Sequence, residues 1–87
     1  MLLKYLLARY TLYCKLIDQH QADYDRTQDT VYEEWMLETM HRQQEVNKIM
    51  DDVFGREVAF NARIEARKHA EETDIMELYA EINRYKA

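Results

Sequence analysis

The chain has 87 residues, no proline, one glycine (Gly55), one cysteine (Cys14) and a formal net charge of −5. A lone cysteine excludes an intrachain disulfide. With no serine, no glycine-rich phosphate loop and no CxxC or HExxH spacing, the common nucleophile, nucleotide and zinc signatures are missing too. Nucleic-acid binding needs a basic face, and an acidic chain without one argues against it.

Proline breaks helices and glycine weakens them, so a chain nearly free of both can run as long helices. The expected fold class is all-α: a single domain over residues 1–87, built as a small antiparallel bundle of three long helices. A chain this short buries only about 60–65% of its unfolded surface, so completion of the bundle by oligomerisation is expected.

The first expected helix runs from about Leu2 to Arg26. Leu3, Leu6, Tyr10, Tyr13, Ile17, His20 and Tyr24 alternate three and four apart, a seam suited to another helix. Leu2, Tyr5, Leu12 and Leu16 widen the apolar face to roughly 200°, leaving Lys4, Ala8, Thr11, Lys15, Asp18, Ala22 and Asp25 as the polar strip. So wide a face needs at least two neighbours, and a homodimer or higher oligomer is the expected way to supply them. Lys4, Arg9 and Lys15 interrupt every apolar run in the first 17 residues, which argues against a membrane span or a signal peptide there.

The second helix is expected from Thr30 to about Phe54, with Thr30 and Glu33 at capping-box spacing and Gly55 as a left-handed terminator. Its segment, residues 27–54, holds seven acids against Arg42 and Lys48, which accounts for the whole net charge. The third stretch runs from about Glu57 to Lys86. Asp74 followed by Glu77 resembles a second cap, so a break near Thr73 would make four helices.

An antiparallel pairing of the second and third helices about Gly55 would set Arg42 opposite His69. Thr39, Arg42, Gln43, Glu65 and His69 would then form one polar layer. Such a layer can be a register-setting network, because unpaired buried polar groups are costly. It can also bind an anionic small molecule. Glu38 and His41 form one Glu-x-x-His pair where di-iron bundles use two, and His41 falls on the polar side of its helix, so neither a metal nor any other cofactor is expected.

With no catalytic set in view, the leading expectation is a non-enzymatic protein-binding module acting through helix faces. Tyr and Trp are favoured at interface hot spots. The candidate contact residues are Leu6, Tyr10, Tyr13 and Trp35, with Glu34 and Glu38 steering toward a basic partner surface. The basic first helix offers a further reading, association with a membrane surface or nucleic acid, which the overall acidity opposes. A lone thiol suits a reducing, cytoplasmic setting.

Overall fold

The computed structural model describes residues 2–86, which form four helices: α1 (Leu2–Thr27), α2 (Thr30–Phe54), α3 (Arg56–Glu72) and α4 (Ile75–Lys86). The fold is all-α, with no strand among the described residues, and the third stretch does divide at Thr73–Asp74. Asp74 caps α4 as its spacing predicts, its Oδ1 accepting from the Glu77 amide at 2.9 Å.

The turn between α1 and α2 differs from expectation. Gln28 takes a left-handed φ of 57°, and its amide donates to the Tyr24 carbonyl at 2.7 Å. The cap of α2 is Asp29, whose Oδ1 accepts from the Val31 amide at 3.1 Å; Thr30 is already helical. The Thr30–Glu33 capping box is therefore replaced. Asp is at least as good an N-cap as Thr, and the extended backbone of Asp29 puts its carboxylate in reach first.

Gly55 is the only residue between α2 and α3. Its amide closes α2 onto the Asp51 carbonyl at 3.1 Å, and its own carbonyl opens α3 by accepting from the Ala59 amide at 3.0 Å. Its φ of 88° is positive as expected, but ψ is 150°, outside the left-handed helical well and in a region only glycine occupies readily.

Helix α1 is the hub. It packs against each of the other three helices. Ala8 is buried, and so are Tyr10, Thr11, Leu12 and Tyr13, a full turn of consecutive residues. Ala8 and Thr11, expected on the polar strip, line a cavity of about 330 Å³ with Ala62 and Ala66 of α3 and Glu81 and Tyr85 of α4. Small side chains there permit close approach, and the Thr11 hydroxyl is satisfied by the Leu7 carbonyl at 2.7 Å.

Leu6, Tyr10 and Tyr13 form the main core with Val46 and Met50 of α2 and Ala59 and Ala66 of α3. The wide apolar face of α1 is thus largely covered by helices of its own chain. Across the bundle, the Lys15 ammonium donates to the Ala70 carbonyl at 3.0 Å, capping the last turn of α3 from α1.

Candidate functional site

The residues expected to bind a partner separate into two groups. Leu6, Tyr10 and Tyr13 are at most 7% exposed and belong to the core, so they offer no free surface. Both tyrosine hydroxyls find donors within the chain: Tyr10 from Arg67 Nε at 3.1 Å, Tyr13 from Arg9 Nη2 at 2.7 Å. Periodicity identified these side chains as apolar, yet it could not say that α2 and α3 would cover them.

Trp35, Glu34 and Glu38 lie on the outer side of α2 and remain exposed. Trp35 is 47% exposed, with His20 of α1 at 5.9 Å and an edge-on Tyr32 at 5.4 Å holding its indole. Ile49 and Val53 continue the same helix face and are also about half exposed. Between the two apolar ends stand Glu38, Arg42 and Glu45, all exposed, with Arg42 Nη2 donating to Glu38 Oε1 at 2.8 Å. An exposed pair of this kind contributes little to stability, so both side chains are free to exchange partners.

The five residues of the expected polar layer do not come together. Thr39 is buried and its hydroxyl donates to the Trp35 carbonyl at 2.8 Å. Arg42 points outward to Glu38, and Glu65 is exposed, 3.8 Å from Lys68. His69 turns to α4, where Nε2 lies 2.8 Å from Glu81 Oε1, with Nδ1 3.2 Å from the Thr73 hydroxyl. Gln43 bonds to α1 instead, its Nε2 donating to Cys14 Sγ at 3.1 Å. The middle of α2 packs on α1, which removes the α2–α3 register that the layer required.

A cleft of about 750 Å³ lies between α1, α2 and α3, lined by Cys14, Lys15, Ile17, Met40, Gln43 and Arg67 among others. Burial pushes the Cys14 thiol above its ordinary range, which keeps it protonated and a poor nucleophile. Lys15 and Arg67 are engaged with Ala70 and Tyr10, and Asp18 and Glu71 share the lining, so the cleft carries no surplus positive charge for an anion. Sequence reasoning missed this cleft, because periodicity does not say that Cys14 of α1 lies against Gln43 of α2.

No group of three or more His, Cys, Asp or Glu side chains with metal-binding geometry occurs among the described residues. No helix among them is long and apolar enough to cross a membrane. Comparison of the chain with protein-family models, curated proteins and solved structures finds no match.

Proposed function

We propose that this chain is a small non-enzymatic protein-binding module, an adaptor, inhibitor or regulator, that engages its partner through the outer face of α2. The observation that carries the reading is the half-exposed Trp35, held by His20 and Tyr32, on a face that Ile49 and Val53 continue and acids border. A partly wet indole held between neighbouring rings is the kind of side chain that dominates binding energy at interfaces. Glu34, Glu38 and Glu45 favour a partner that presents cations beside an apolar surface. A cytoplasmic setting suits the free thiol of Cys14.

The test is photo-crosslinking in the native cell, with a benzophenone side chain in place of Trp35 and, separately, of Lys68 on α3. The reading expects a discrete adduct from position 35 alone. Equal labelling from both positions, or none from position 35, would sink it.

A further inference from the structure

The outer face of α2 reads nearly the same in both directions. In order along the helix it presents Val31, Trp35, Glu38, Arg42, Glu45, Ile49 and Val53, spaced four, three, four, three, four and four apart. The pattern is apolar, apolar, acid, base, acid, apolar, apolar, centred on Arg42. Trp35, Ile49 and Val53 are about half exposed and Val31 partly so; the three central charges are exposed.

A two-fold interface requires one patch to be its own complement. Turned over about Arg42, this strip sets Trp35 against Ile49 of another copy and Val53 against Val31. It also brings each Arg42 within reach of the other copy's acids at 38 and 45. We propose that the partner engaging this face is a second copy of this chain, α2 lying antiparallel to α2 with Arg42 near the two-fold axis. This rests on the α2 face being the binding surface.

Surface and shape show apolar area left uncovered on the chain, of which this strip is one part and Phe60 of α3 and Met76 of α4 are others. The chain exposes 6025 Å², where a monomer of its 10.6 kDa mass exposes about 5,500 Å². Its radius of gyration is 13.3 Å, against about 12 Å for a compact chain of this length. The strip spans about 33 Å of helix and is one helix wide, roughly 10–12 Å. That area lies below the standard ~800 Å² per partner, so the dimer is a weak one with micromolar dissociation.

Sedimentation velocity on the full chain, from about 1 to 500 µM, tests this. The wild type should pass from monomer to dimer across that range. Arg42→Glu places three acids at the centre of the strip, and Glu38→Arg with Glu45→Arg places three cations there. Each variant alone should dimerise at least tenfold more weakly, while an equimolar mixture should form a heterodimer at wild-type strength or better. Circular dichroism confirms that both are folded. A wild type that stays monomeric overturns the proposal. So does either variant dimerising like the wild type, or a mixture that does not associate. The position-35 crosslink then decides separately whether the face binds a different protein.

Discussion

Arg67 Nε on α3 donates to the Tyr10 hydroxyl on α1 at 3.1 Å, joining residues 57 apart in the chain at the edge of the main core. Tyr10 is 3% exposed, so its ring fills the core while its oxygen reaches the one donor that α3 places beside it. Tyr10→Phe keeps the ring and loses the bond. Because Arg67 is exposed and regains water, the cost should be about 0.5–1.5 kcal/mol by urea unfolding. Tyr10→Ala, which empties the site as well, should cost about 3–5 kcal/mol. Equal losses in the two variants would show that the ring contributes nothing beyond the hydroxyl.

Gly55 has no atom within 4 Å of where a Cβ would lie, so Gly55→Ala meets no clash. Its φ of 88° with ψ of 150° is nonetheless strained for any L side chain. The substitution should destabilise by about 1–3 kcal/mol through the backbone alone. A neutral result in thermal unfolding would mean that the α2–α3 connection relaxes freely.

Gln28 is the converse case. It holds a left-handed φ of 57° with a side chain that only glycine or asparagine usually replaces at such a site. Gln28→Gly relieves that strain and should stabilise by about 0.5–1 kcal/mol, a net of backbone relief and added unfolded-state freedom. Asp29→Ala, one residue on, removes the α2 cap and should cost about 1 kcal/mol. The two shifts in unfolding midpoint should have opposite signs.

Burial pushes both the Cys14 thiol and the Tyr10 hydroxyl above their ordinary ranges. The native chain therefore holds these protons when the unfolded chain has released them. Their contribution is fully present below the unfolded thiol's pKa, about 8.5, and is lost as pH rises through the folded values, the loss beginning with Cys14 because the unfolded thiol releases its proton at lower pH than the unfolded phenol. The urea midpoint should be insensitive to Cys14 below about pH 8 and decline above it. Cys14→Ala should lack the earlier part of that decline. An identical pH profile in the variant would assign the loss to other groups.

What was legible in the sequence follows how local each signal is. The Asp74 cap and the α3–α4 break depend on four residues and were readable. The start of α2 at Thr30 was readable but its cap was not, because Asp29 and Thr30 are both good caps and only the turn geometry chooses. Gln28 gave no sign of its conformation, since glutamine has no preference for the left-handed region. That Glu34, Glu38 and Glu45 share an acidic face of α2 was readable, because a helix wheel settles which side chains share a face; that Trp35 stays half exposed beside them was not.

The polar layer was not readable, because it needed to be known which helix lies beside the middle of α2. Gln43 meets Cys14 of α1 there, and His69 meets Glu81 of α4 instead of Arg42. By itself, the sequence determined that this chain is helical, where its helices stop and which faces are apolar, since propensity, capping and periodicity act within a few residues. Only the tertiary structure decided which apolar faces are covered. Leu6, Tyr10 and Tyr13 go inside and Trp35 stays half out because α1 sits among three helices and α2 at the edge. Burial depends on neighbours distant in the chain, and periodicity carries no information about those.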